Sequence, residues 1–140
     1  MMSKLKLNCA LIFTLLCLLG CESKELKDTR ILAENGNMEA QDHLGYIYLN
    51  GLAGSKIDVE TAKGWFEKAA LQGDILRIEM FADSYTNGNS SLNIPQNKEL
   101  AFKWNKMLSN AGRTKGDLAV AYSYVTGAGV SPDLDEAIVY

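Results

Sequence analysis

Gly36, Gly73 and Gly112 head three segments that repeat one another, at spacings of 37 and 39 residues. Twelve residues after each stands a tyrosine (Tyr48, Tyr85, Tyr124), and three further on another glycine (Gly51, Gly88, Gly127). Later in each segment an acid or amide is followed at plus four by alanine and at plus seven by an aromatic: Asp58, Ala62, Trp65; Asn97, Ala101, Trp104; Asp133, Ala137, Tyr140. Self-similarity at a period of roughly 20 to 50 residues marks a repeat architecture, each repeat being one supersecondary unit.

The residue types inside a unit specify two antiparallel helices. Ala40, Leu44, Ile47 and Tyr48 recur at steps of three and four, which puts one apolar face on a helix from about Met38 to Asn50. Gly51 ends it, and Asp58 is placed to cap the next helix by accepting from the free amides of its first turn. Ala62, Trp65, Phe66, Ala69 and Ala70 form the buried stripe of that second helix, which Gly73 stops; the alanines and Gly45 let the helices approach closely. One hairpin cannot hide its apolar face alone, so neighbours must stack into a short all-α solenoid. The expected repeat domain covers residues 30–140, in units of about 36–72, 73–111 and 112–140. The stretch from about Lys24 to Glu34 should cap the stack, and 89–95 should be a loop. The third unit runs short of the other two, so it is expected either to be a shortened cap that frays or to leave an apolar edge around Ala121, Val125, Ile138 and Val139 that a second copy or a partner covers.

These residues resemble the Sel1-like repeat family, relatives of the tetratricopeptide repeats. The first unit carries the family pattern almost whole, as Ala40, Leu44, Gly45, Tyr48, Gly51, Asp58, Ala62, Trp65, Ala69, Ala70 and Gly73. The third carries Gly127, Gly129, Val130, Asp133 and Ala137. The second unit is degenerate: Phe81 and Ala82 replace Leu-Gly, and Leu108 and Ser109 replace the alanine pair, while Arg77 and Gly116 stand at the Ala40 position. The resemblance implies a right-handed α-solenoid of helix pairs, with the last repeat truncated, that binds other proteins; the family has no single activity.

The N-terminus reads as an export signal. Lys4 and Lys6 precede an apolar run from Leu7 to Leu19, which at 1.5 Å per residue makes roughly 20 Å of helix, too short for a hydrocarbon core of roughly 30 Å. The run ends in Leu18, Leu19, Gly20, Cys21, which resembles the lipobox of bacterial lipoproteins. That resemblance implies a signal peptide at 1–20, acylation of Cys21 with palmitate-type chains, a lipidated linker at 21–29, and, with Glu22 following, a periplasm-facing protein anchored in the outer membrane. Cys9, Cys17 and Cys21 are the only cysteines, so the body of the chain can hold neither a disulfide nor a thiolate metal site.

The catalytic inventory is sparse. His43 has no second ligand at plus three or plus four, and the one Ser-x-x-Lys motif, Ser3 to Lys6, falls inside the signal. Acids such as Glu39, Asp42, Asp135 and Glu136 sit at expected helix N-termini, where they favour the helix dipole. Neither a cofactor nor a metal is expected, and a net charge of −3 disfavours nucleic acid as a partner. What remains is recognition of a protein. If Tyr48, Tyr85 and Tyr124 face the core, the residues two earlier (Tyr46, Asp83, Tyr122) point roughly 200° away and form an exposed row. Tyr46 and Tyr122 are candidate partner contacts, with Gln41, Leu49 and Val125 beside them.

The combined resemblances imply a non-enzymatic envelope adaptor, or an immunity protein that neutralises a type VI secreted phospholipase. The rival reading is a cell-envelope enzyme acting on β-lactam or peptidoglycan substrates. Cys21→Ser is expected to abolish incorporation of labelled palmitate and to release the chain from the membrane pellet; unchanged labelling would remove Cys21 as the anchor.

Overall fold

The computed structural model describes residues 22–140; the signal at 1–20 and the lipidation site Cys21 lie outside the described residues. Seven α-helices follow one another: α1 (Lys24–Glu34), α2 (Met38–Asn50), α3 (Val59–Leu71), α4 (Ile75–Asn87), α5 (Lys98–Asn110), α6 (Thr114–Thr126) and α7 (Leu134–Val139), with a 3₁₀ turn at Ser90–Leu92. Each helix packs on its neighbours in sequence, and α3 also touches the 3₁₀ turn. The units pair α2 with α3, α4 with α5, and α6 with α7, and they stack as a solenoid.

Local chemistry sets the helix bounds. Ser23, Asn37, Asp58, Asp74, Asn97 and Asp133 each accept from a first-turn amide through the side chain, a contact worth about 1 kcal/mol per cap. Gly51 ends α2 in the left-handed region at φ 64°, where a Cβ would be strained. A second device ties the two helices of each unit together. The amide of the capping residue donates to the carbonyl of the repeat tyrosine three times over: Asp58 to Tyr48 at 2.9 Å, Asn97 to Tyr85 at 2.9 Å, and Asp133 to Tyr124 at 3.0 Å. The tyrosine-to-acid spacing in the sequence is thus the spacing of one hydrogen bond that closes every hairpin.

Two clusters make the core. Leu26 and Ala33 of α1 pack on Ala40, Leu44 and Ile47 of α2, so α1 caps the first unit. The larger cluster joins Ala62, Phe66 and Ala70 of α3 to Ile78, Phe81 and Ala82 of α4 and to Trp104 and Leu108 of α5. Trp104 is stacked on Phe81 at a centroid distance of 4.8 Å. The second helix of the first unit differs in one respect from its expected stripe. Trp65 is only half-buried, lying against the first cluster with Lys68 Nζ 3.7 Å from its ring centre.

One reading of a connecting segment needs correction, and one gains a role in the core. The linker assigned to 21–29 is helical from Lys24, because Ser23 caps α1 and Leu26 and Thr29 are buried beneath it. The loop at 89–95 is a loop, but not only a connector: Leu92 and Ile94 are buried in the larger cluster, and Asn89 and Ile94 exchange backbone hydrogen bonds that hold them there.

Close approach inside a unit depends on Gly45, where an added Cβ would stand 2.6 Å from two ring carbons of Phe66. Gly64, on α3, has nothing within 4 Å of that position. Gly45→Ala is expected to cost about 1–3 kcal/mol in urea unfolding. Gly64→Ala should instead stabilise by about 0.5–1 kcal/mol, since it relieves helix entropy with no clash. Equal effects at the two sites would contradict this account of the packing.

Candidate interaction surface

The repeat tyrosines face inward and the row two residues earlier faces outward. Tyr48 and Tyr85 are half-buried against the larger cluster and Tyr124 is buried, whereas Tyr46 and Tyr122 are 50% and 66% exposed. Val125, one turn beyond Tyr122, is also exposed.

The other two proposed contacts lie inside the structure. Gln41 is buried because it bridges three helices: its Nε2 donates to the Ala33 carbonyl of α1, and its Oε1 accepts from Gln72 Nε2 after α3. Leu49 is half-buried because it packs against the larger cluster. Gln41 is thereby withdrawn from the surface, whereas Leu49 keeps part of its side chain accessible. His43 is an exposed surface residue, 3.9 Å from Glu25.

Along this face the units are joined by ion pairs, with Asp42 and Glu79 at equivalent positions and their cations, Arg77 and Lys115, one register position apart. Asp42 of the first unit pairs with Arg77 of the second, which also lies over the Phe66 ring at 4.1 Å. Glu79 and Asp83 of the second unit both hold Lys115 of the third, each at 2.8 Å. The hydrogen bond from Lys115 holds the Glu79 carboxyl below its ordinary range, and the two carboxylates, Asp83 foremost, raise the Lys115 ammonium. Asp42 therefore serves the junction between units, not the helix dipole expected of it, while Glu39, Asp135 and Glu136 do occupy first turns. At the corresponding positions of the third unit stand Leu118 and Tyr122, both exposed and apolar, so the charged ladder gives way to an apolar stripe with Val125. Leu134, Ile138 and Val139 of α7 are exposed as well, while Ala121 is half-buried.

Beside Tyr122 opens a cavity of about 370 Å³ between α4, α5 and α6. Its walls are mainly apolar, from Tyr85, Ala101, Ala119 and Tyr122, with Asn105 and Ser123 as buried polar groups and Lys98 at the rim. The volume falls in the range of small-ligand pockets, roughly 300 to 1,000 Å³. Sequence reasoning found Tyr122 but not the cavity, which depends on which side chains from two different units meet. Among the described residues no group of three His, Cys, Asp or Glu is placed to hold a metal, and no helix is long and apolar enough to cross a membrane.

A family model described as Sel1 repeat matches residues 39–74, 80–112 and 116–140, together more than half of the chain. Among solved structures, a protective antigen present in uropathogenic Escherichia coli strains, displaying an SLR fold, superposes with a TM-score of 0.61 at 28% identity. That match covers 85% of this chain and 25% of the antigen, so this chain spans a quarter of that protein's length. A Sel1 repeat protein from Oxalobacter formigenes superposes with a TM-score of 0.62 at 26% identity, covering 81% of this chain and 83% of the other. A search of curated proteins returns no match.

The ion pairs at the second junction have a definite pH signature. Glu79 is shifted below its ordinary value of 4.5, so its contribution is fully present above that value and is lost as pH falls through the shifted one. Lys115→Met should therefore lower the melting temperature modestly at pH 7, because the pair is half-exposed, and the gap to wild type should close as pH drops below 4.5. A gap that persists at pH 2 would assign the effect of the substitution to packing.

Proposed function

The chain belongs to the Sel1 repeat family, and from that premise we propose that it is a non-catalytic protein-interaction module, held at the periplasmic face of the bacterial outer membrane by lipid on Cys21. The observation that carries the interaction reading is the uncovered face made by the first helices. Tyr46, Tyr122 and Val125 stand exposed there on a scaffold fixed by capped helices and inter-unit ion pairs. Aromatic side chains on a rigid support bind with small loss of conformational entropy. The anchoring reading is supported by the Leu18-Leu19-Gly20-Cys21 sequence and the basic, then apolar, leader before it. Several acyl chains, at about 0.8 kcal/mol per buried methylene, would hold such a chain firmly.

Within this role, the pairing of a lipoprotein-like leader with these repeats supports immunity against a type VI secreted phospholipase. Co-expression with a type VI secreted phospholipase effector tests that subtype: rescue of growth supports immunity, and continued lysis returns the role to that of an adaptor. Hydrolysis of peptidoglycan or a β-lactam by the purified chain would overturn the non-catalytic reading.

The interaction face is tested by photo-crosslinking in living cells. A benzophenone amino acid at position 46 or 122 is expected to give a discrete adduct, whereas the same group at the exposed Glu67 of α3 should give none. Adducts at position 67 alone would place recognition on the opposite side.

A further inference from the structure

The cavity beside Tyr122 becomes informative when the two junctions between units are superimposed on the repeat register. At the first junction the equivalent space is filled by the molecule itself: Leu49, Phe66 and Met80 all pack into the larger cluster. At the second junction the same register positions carry Thr86, Asn105 and Ala119, and all three line the cavity. Loose stacking does not explain the space. An added Cβ on Gly116 would lie 2.3 Å from the Ser109 amide nitrogen, and one on Gly129 would lie 2.0 Å from the Lys98 carbonyl, so the third unit is pressed onto α5 at both ends. The void is made by three replacements of large side chains with small or polar ones.

The polar groups left in it have a pattern. Asn105 is only 7% exposed, and its Nδ2 donates to the Ala101 carbonyl at 2.9 Å. Among the described residues its Oδ1 accepts no hydrogen bond and no fully buried side-chain oxygen is left without a partner, so that oxygen keeps accessible surface on a residue that lines the cavity. Lys98 stands seven residues earlier on α5, two turns or roughly 10 Å along the same face. It is the one charged residue of the lining and has no ion pair among the described residues. Its charge adds to the positive end of the α5 dipole.

We infer that this cavity receives an aromatic side chain from an extended segment of a partner protein, seated where Phe66 lies in the preceding unit. The segment's backbone amide donates to Asn105 Oδ1, and an adjacent carboxylate meets Lys98. The inference rests on the protein-interaction reading and specifies the partner's chemistry: an aromatic residue beside an acidic one.

The test uses the full chain in detergent micelles with carbon-13 alanine methyls, titrated with the blocked dipeptide N-acetyl-Phe-Asp-amide. The methyls of Ala101 and Ala119 are expected to shift and saturate, with N-acetyl-Ala-Asp-amide and N-acetyl-Phe-Lys-amide each binding at least tenfold more weakly. Asn105→Phe, which restores the first junction's filling, should melt higher than wild type and lose the response. Asn105→Ala, which keeps the space but removes the acceptor, should weaken binding roughly fivefold. No shift of the two methyls up to the solubility limit, or an undiminished shift in Asn105→Phe, would overturn the inference. The two readings fail separately. Crosslinks at Tyr122 that persist unchanged in Asn105→Phe would leave the interaction module standing and discard the aromatic receptor. Absence of crosslinks at positions 46 and 122 would discard the module's face itself.

Discussion

A two-helix unit of this size has more apolar surface than its own partner helix can cover, and everything else in the molecule answers to that shortage. The hydrogen bond from each capping amide to each repeat tyrosine carbonyl closes the hairpin and fixes its angle. It does nothing for the outer face of the second helix, where Ala70 and the side of the Phe66 ring away from Gly45 would be left in water. Only the next unit covers them, so stability is shared between hairpins and junctions, and neither is stable without the other. The first hairpin has α1 on one side and α4 on the other, which is why its residues enter both clusters.

Much of this was legible in the sequence because the signals are local. The three-and-four spacing, the stopping glycines and the Asp58 cap place α2 and α3 close to where they occur, since each depends on contacts within a few residues. The inward direction of Tyr48, Tyr85 and Tyr124 follows from the same geometry. The misread residues are those decided by long-range partners. Gln41 reads as a surface residue from its polarity, yet α1 and the end of α3 supply it with a carbonyl and an amide, 8 and 31 residues away. Leu92 and Ile94 sit in a turn-rich stretch whose composition says loop; their burial depends on α3 lying beneath. The local signal of that burial is two aliphatic residues in an otherwise polar insertion.

The candidate site divides along the same line. Exposure of Tyr46 and Tyr122 is a consequence of helical phase and could be read from one unit. The cavity is not, because it is a difference between junctions and exists only where Thr86, Asn105 and Ala119 meet across α4, α5 and α6. The degeneracy of the second unit was visible as departures from the repeat pattern at Phe81, Ala82, Leu108 and Ser109. Those four are buried or helix-facing substitutions that maintain packing, with Phe81 stacked on Trp104 and Leu108 fully buried. The departures that open space lie at positions the pattern leaves free.

That distribution bears on how a repeat protein acquires specificity without losing its fold. Residues that close hairpins and fill hairpin interiors are constrained by every copy's need for the same hydrogen bond and the same helix approach. Residues at the junction on the side of the first helices have a second option, since ion pairs can hold adjacent units together there in place of apolar contact. The first junction uses both means, with Arg77 bound to Asp42 and also covering Phe66. The second separates them: Glu79, Asp83 and Lys115 make the bridge, apolar packing is kept to buried Val120 and the edge contact of Phe102 with Tyr124, and the space beside Tyr122 is left unfilled. Half-exposed ion pairs contribute little stability in isolation, so the junction rests on the tight backbone contacts at Gly116 and Gly129 together with buried Val120 and the Phe102–Tyr124 contact. With the stack secured by glycines at its edges and carboxylates along its face, the space between them is free of any structural duty and can take its shape from what binds there.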